Sequence, residues 1–332
     1  MLSELEKIPE VNKESLLVYA RLWQLEKWLR EMVYIELKTK KARSWINFRK
    51  TENKVEADQK LQHMPTSDKS PLSYLDFSEL TKLIKNNWEL FSSYLPPQNL
   101  WEAKLEEIVH IRNRIAHYRK GHSDDLNRLL QLMRDIDPGF WSFCTSYNNI
   151  YPILPQDTDP VTKKYVELDP FSYKQVDEKE WAMFGSAPDD LRYIVSVNIS
   201  NREWAQKTDK IDGAIGYIYD VKIYMRKENR FKYKSFLERT KLFHSDVLHI
   251  CLEESSASIR VTIPAKLGSE KVIEIIDLLI EETNNSVTQS FLLPDNNLAV
   301  QKLSEEWPEY VLGPKNPLTF LDPSMPCSFF SV

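Results

Sequence analysis

Between Glu107 and Arg119 the chain reads Glu-Ile-Val-His-Ile-Arg-Asn-Arg-Ile-Ala-His-Tyr-Arg. At helical spacing Ile108, Ile111, Ile115 and Tyr118 share one side, expected to face a core. His110, Asn113, Arg114 and His117 share the opposite side, with Arg112 on its flank. An imidazole can move protons near neutral pH, and a guanidinium can neutralise the charge that builds on a pentacoordinate phosphate. A hydrophobic seam backing such a face suits the binding and cleavage of a phosphodiester. The chemistry requires no metal and no cofactor if the attacking nucleophile is an RNA 2′-hydroxyl. One copy of the helix offers few such groups, so two helices pairing across a dimer would make a fuller site. The plainer alternative is a solvated polar helix face without chemistry.

Other residues carry weaker signals. Lys38, Lys40, Lys41, Arg43, Arg49 and Lys50 form a basic run free of acids that includes Trp45 and Phe48. Basic charge with stacking rings suits single-stranded RNA, and a helix end anchored by Trp45 explains the same residues equally well. Glu26, on a mostly apolar first helix, could orient Arg112 or His117, although an ordinary surface glutamate accounts for it better. His244, Asp246 and His249 form a conceivable metal set, but core histidines are the commoner outcome. Cys144 has no motif partner and is expected to pack in the bundle.

Composition removes several alternatives. Seven glycines in 332 residues include neither a Gly-x-Gly-x-x-Gly string nor a Walker-type loop, which nearly excludes glycine-turn nucleotide cradles. Three cysteines, Cys144, Cys251 and Cys327, lie far apart and give neither a zinc knuckle nor a disulfide framework, so a reducing compartment is expected. The first residues lack a basic start followed by an apolar run, and Val272–Ile280 is too short to span a bilayer. A cytoplasmic protein without membrane attachment is expected. The net charge of −5 is uneven: 23 basic against 21 acidic residues up to Asn148, then 21 against 28. Any nucleic-acid site must therefore be a local basic patch.

Positioning the polar face requires a bundle. Ser15–Lys40 shows three-four apolar spacing. Asn47–Ser70 loses the pattern and reads as a long mobile loop. Asp76 or Ser78 can cap a second helix that runs to about Leu95, before Pro96-Pro97. A third spans Gln98 to about Lys120, stopped by Gly121. A fourth starts after Ser123 and is expected to break at Pro138-Gly139 before an aromatic continuation to Tyr147. Residues 148–170, rich in proline, read as a linker. Residues 171–332 alternate as strands do, with a hairpin over Leu248–Ile263 and an amphipathic helix over Gly268–Thr283. They predict an α+β domain with a mainly antiparallel sheet, and a tail after Trp307 that wraps irregularly.

The motif now carries a resemblance. Arg112-Asn113-x-x-x-His117 matches the Arg-x(4–6)-His signature of the HEPN superfamily in its Arg-Asn-x-x-x-His form. Residues 15–147 resemble a HEPN four-helix bundle: Leu22, Leu25-Glu26 and Leu29-Arg30 are similar to its first helix, and Asp76-Phe77 and Trp88-x-x-Phe91 to the helix before the motif. The resemblance covers less than half of the chain. It implies a metal-independent endoribonuclease whose sites form across a homodimer, leaving 2′,3′-cyclic phosphate and 5′-hydroxyl ends. Members act as toxins, antiphage or abortive-infection nucleases and RNA-processing factors. Arg112 and His117 would be catalytic and Asn113 a supporting polar residue. Some members carry a tyrosine two positions after the histidine; here Tyr118 follows immediately and Arg119 takes that place.

The expected organisation is a HEPN-like ribonuclease domain over 1–147, the linker over 148–170 and an α+β recognition or regulatory domain over 171–332. Arg114, Arg119, Lys120, Lys40, Lys41 and Arg43 are the expected RNA contacts, with His110 and Glu26 as possible support. The expected partners are RNA, a second copy through the motif helix, and a protein docked on the acidic C-terminal domain. The competing class is a non-catalytic dimeric HEPN-like module that binds RNA or protein.

Overall fold

The computed structural model describes residues 12–46, 49–61, 63, 70–149, 151–171, 173–177, 180–289, 297–307, 310–325 and 328–332. They fall into two compact units, the first within Met1–Tyr34, Leu72–Phe143 and Pro323–Val332, the second within Ile35–Pro71 and Cys144–Asp322. Helices α1 (Lys13–Lys41), α2 (Arg49–Gln59), α3 (Phe77–Asn86), α4 (Gln98–Ala116) and α5 (Asp125–Tyr147) open the chain.

In the first unit, α1 buries Leu22, Leu25, Leu29, Met32 and Val33, the stripe that its spacing predicts. Helix α3 starts with a capping box in which Asp76 N–H donates to Glu79 Oε2 at 3.1 Å. It stops at Asn86, earlier than expected; a 3-10 turn over Trp88–Leu90 and further turns over 91–97 lead to α4. Two expectations fail for local reasons. Helix α4 ends at Ala116 instead of near Lys120. Helix α5 continues unbroken through Pro138 to Tyr147. Proline removes one backbone donor, but Gly139 lets the helix press onto the neighbouring chain: a Cβ there would stand 1.8 Å from Tyr94 O. Phe140 and Phe143 beyond it are fully buried and hold the continuation in place.

The tail is more ordered than the sequence indicated. Phe330 is fully buried, and Phe329 meets the Trp28 ring edge-on at 4.7 Å. Asp137 accepts Phe329 N–H at 2.9 Å and Phe330 N–H at 2.7 Å, while Arg21 donates to Phe330 O at 2.8 Å. Cys327 lies outside the described residues.

The second unit contains α6 (Pro160–Tyr165), β1 (Tyr173–Asp177), β2 (Glu180–Met183), β3 (Tyr193–Asn201), β4 (Tyr217–Met225), β5 (Asn229–Phe231) and α7 (Tyr233–Thr240). After them come β6 (His249–Leu252), β7 (Ser258–Pro264), α8 (Ser269–Asn285), β8 (Val287–Gln289), α9 (Asn297–Glu305), β9 (Val311–Leu312) and α10 (Pro317–Phe320). The main sheet has the order β3-β4-β7-β6-β9, antiparallel except for the parallel β6–β9 pair. The expected hairpin is β6–β7, and α8 is the expected helix. Val197, Val221, Val261 and Ile250 on one sheet face share a core with Val272, Ile276 and Leu279 of α8. The opposite face carries Ser196, Asn198, Asp220, Thr262, His249 and Cys251, all buried.

The segment 151–170, read as a linker, packs into this core. Asp159 caps α6, accepting from Val161 N at 2.9 Å, and its second oxygen accepts from Tyr219 Oη at 3.1 Å. Val161 and Tyr165 are buried beside the sheet strands. The proline content therefore marks a pinned strap and not a free spacer. The expected loop over 47–70 likewise contains α2, where Thr51 is buried. Pro65 and its neighbours 64–69 lie outside the described residues. Among the described residues no helix is long and apolar enough to cross a membrane.

Candidate functional site

The motif sits at the C-terminal end of α4. Trp101, Leu105, Ile108 and Ile111 are buried and fix which face the helix turns inward. Arg112, Asn113 and Arg114 are half-buried on the last turn, and His110 is exposed. The helix then closes in a Schellman turn, which satisfies carbonyls that the last turn would otherwise leave open. Arg119 N–H donates to Arg114 O at 2.9 Å, Tyr118 N–H to Ile115 O at 3.1 Å, and His117 N–H to Asn113 O at 3.3 Å. His117 is therefore the C-cap residue, at φ −102° and ψ 17°, exposed at the helix end.

This geometry corrects the placement of Tyr118. It does not face the core with Ile108 and Ile111; its side chain is 99% exposed and its φ is +53°. Because the chain leaves the helix at Ala116, helical spacing no longer applies to residue 118. Ile115 is only half-buried for the same reason.

Arg114 has a partner that the sequence reading missed. Its guanidinium grips the carboxylate of Asp125, Nε donating to Oδ2 at 3.1 Å and Nη2 to Oδ1. The Asp125 carboxylate is almost wholly buried and also accepts His122 N–H at 2.9 Å. Arg114, expected as an RNA contact, thus ties the end of α4 to the start of α5 and sets the turn between them.

Arg112, Asn113, His117, Arg119 and Lys120 make no side-chain hydrogen bond or ion pair among the described residues. A cation, an amide, an imidazole and two further cations are therefore open to a ligand around one helix end. A phosphodiester fits such a set: guanidinium groups hold anionic oxygens, and an imidazole can carry the proton.

Several other candidates go elsewhere. Glu26 pairs with Arg30 one turn on, and Arg30 also donates to Leu75 O at 2.9 Å, so Glu26 orients neither Arg112 nor His117. Lys40, Lys41 and Arg43 belong to the second unit. There Arg43 Nη2 donates to Asp246 Oδ2 at 2.6 Å, and this bond holds the guanidinium above its ordinary pKa. Trp45 is buried, as a helix anchor would be, and Lys38 is buried with its ammonium on Val247 O. Asn47 and Phe48 lie outside the described residues. His244 bonds to Thr240 Oγ1 at 3.0 Å and His249 to Tyr147 Oη at 2.8 Å, which makes both core histidines. Among the described residues no His, Cys, Asp and Glu cluster could hold a metal ion. Cys144 and Cys251 are buried, and neither forms a disulfide among the described residues.

Residues 21–136 match the family model described as Swt1-like HEPN. That match supports a HEPN superfamily domain in the N-terminal half, covering most of α1, all of α2, α3 and α4, the motif and the first half of α5. No curated protein and no solved structure matches the chain.

Proposed function

We propose that this chain, whose N-terminal half carries a HEPN superfamily domain, is a metal-independent endoribonuclease that cuts RNA by 2′-hydroxyl attack. The observation that carries the reading is the Arg112-Asn113-x-x-x-His117 motif: it lies at the open end of α4, inside the matched residues, and its side chains are unengaged among the described residues.

His117 takes the 2′-hydroxyl proton or delivers a proton to the departing 5′-oxygen; two imidazoles brought together by a dimer can divide these roles. The 2′-oxygen bonds to phosphorus as the bond to the 5′-oxygen breaks, leaving a 2′,3′-cyclic phosphate and a 5′-hydroxyl. Arg112 neutralises the charge of the five-coordinate phosphorus, Asn113 supports its orientation, and Arg119 and Lys120 draw in the flanking backbone. His110, one turn before Asn113, borders the same face. A two-fold dimer through α4 supplies the second motif. The biological setting is that of a toxin or antiphage effector, with the net-acidic α+β unit receiving a protein partner that restrains the nuclease.

The test is incubation of purified protein with total RNA in EDTA beside an Arg112→Ala/His117→Ala variant. Cleavage by the parent alone supports the proposal. RNA binding without cleavage by either protein would replace it with a non-catalytic RNA-binding module.

A further inference from the structure

We infer that Tyr118 is a stacking platform for a nucleobase of the bound RNA, next to the phosphate that His117 and Arg112 engage. The inference rests on the ribonuclease reading and deepens it. It starts from a conflict in the backbone. In a Schellman turn the residue just after the C-cap takes a left-handed conformation, and glycine usually fills it because a side chain there crowds the next carbonyl. Here tyrosine holds that place at φ +53°.

Packing does not explain the residue. A strained aromatic is ordinarily repaid by burial of its ring, yet this ring is 99% exposed. Strain retained without burial concentrates at functional positions. Nor does the ring hang from a loose loop. The turn beneath it is fastened by Arg119 N–H on Arg114 O and by the Arg114 grip on Asp125, which also takes His122 N–H. The ring is thus projected outward from a fixed point, one residue after His117.

Its neighbours indicate what it meets. Arg119 and Lys120 follow directly, and neither has a side-chain partner among the described residues. A flat ring beside unpaired cations matches single-stranded nucleic acid, which presents a base face and a phosphate at each step. An apolar protein partner would have to bury those cations uncompensated, which disfavours it.

The test uses His117→Ala protein, which binds without cutting, and a short single-stranded RNA carrying one 2-aminopurine. Replacing Tyr118 by Ala in that background should weaken binding about tenfold and restore 2-aminopurine fluorescence. Tyr118→Phe and Tyr118→Trp, which keep a ring, should bind and quench as Tyr118 does. Tyr118→Gly removes the backbone strain, so it should fold at least as stably and still lose affinity. The dependence of affinity on salt should stay the same for Tyr118→Ala and flatten for Arg119→Ala. Unchanged affinity in Tyr118→Ala and Tyr118→Gly would overturn the inference. So would affinity lost only together with a dimer-to-monomer change, which would place the ring in a protein interface. If protein with His117 intact neither binds nor cuts RNA, the ribonuclease reading falls first and takes this inference with it.

Discussion

Arg114 and Asp125 face each other across the turn that carries His117, and the guanidinium holds both oxygens of a carboxylate that is only 3% exposed. This pair joins the end of α4 to the start of α5 on either side of the turn that follows His117. Removing the carboxylate leaves the Arg114 guanidinium and the His122 N–H without their shared acceptor. Asp125→Ala should therefore cost about 2 kcal/mol in denaturant unfolding. It should also lower RNA cleavage by at least about tenfold with Arg112 and His117 intact, because small displacements of catalytic groups are expensive. An unchanged cleavage rate in a destabilised Asp125→Ala protein would limit the pair to stability.

The tail anchors the helical unit. Phe330 is fully buried, packs edge-on against Phe140 at 5.1 Å, and has its N–H on Asp137. Phe330→Ala should lower stability by about 3 kcal/mol, the usual cost of emptying a buried aromatic site. Urea unfolding checks this, and a loss below about 1 kcal/mol would mean that the tail rests on the surface.

Acid should loosen the α+β unit through His244. Burial, helped by Lys241, pushes its pKa down to about 4. In the unfolded chain it titrates near 6.5, the ordinary value for histidine. Between those values the unfolded chain binds a proton that the folded one refuses, so this contribution is complete above about pH 6.5 and falls as pH drops toward 4. Its full size is on the order of 3 kcal/mol. Urea midpoints of the parent and of His244→Gln should converge or cross as pH is lowered from 7.5 to 4.5. Parallel curves would contradict the assignment.

Assembly follows from the count of groups. One α4 supplies a single His117 and a single Arg112, whereas the proposed site draws on two. Light scattering at micromolar concentration should return about twice the chain mass of 39.1 kDa. A monomer with full cleavage activity would remove the composite site and leave the motif itself.

Where three-four or two-residue spacing ran uninterrupted, the sequence was enough: Leu22 to Val33 in α1, Val272 to Leu279 in α8, and the alternation along β3, β4 and β7 all lie where the periodicity places them. The buried face of α4 could be read for the same reason, since Ile108 and Ile111 lie inward as their spacing places them. What could not be read depended on partners distant in the chain. Pro138 is tolerated because Gly139 meets Tyr94, and the strap at 151–170 is pinned because Asp159 meets Tyr219. Arg114 looked like an RNA contact because Asp125, across a turn, carried no mark beyond its charge. Tyr118 was misplaced because helical spacing was carried one turn past the true helix end.

The most direct test is a single-stranded RNA compared with the same strand bearing one 2′-deoxy sugar at the cut site, both in EDTA. The parent protein should cut the first to a 2′,3′-cyclic phosphate and spare that site in the second. Folded His117→Ala protein should cut neither. Equal cleavage of both strands, or full activity in His117→Ala, would contradict it.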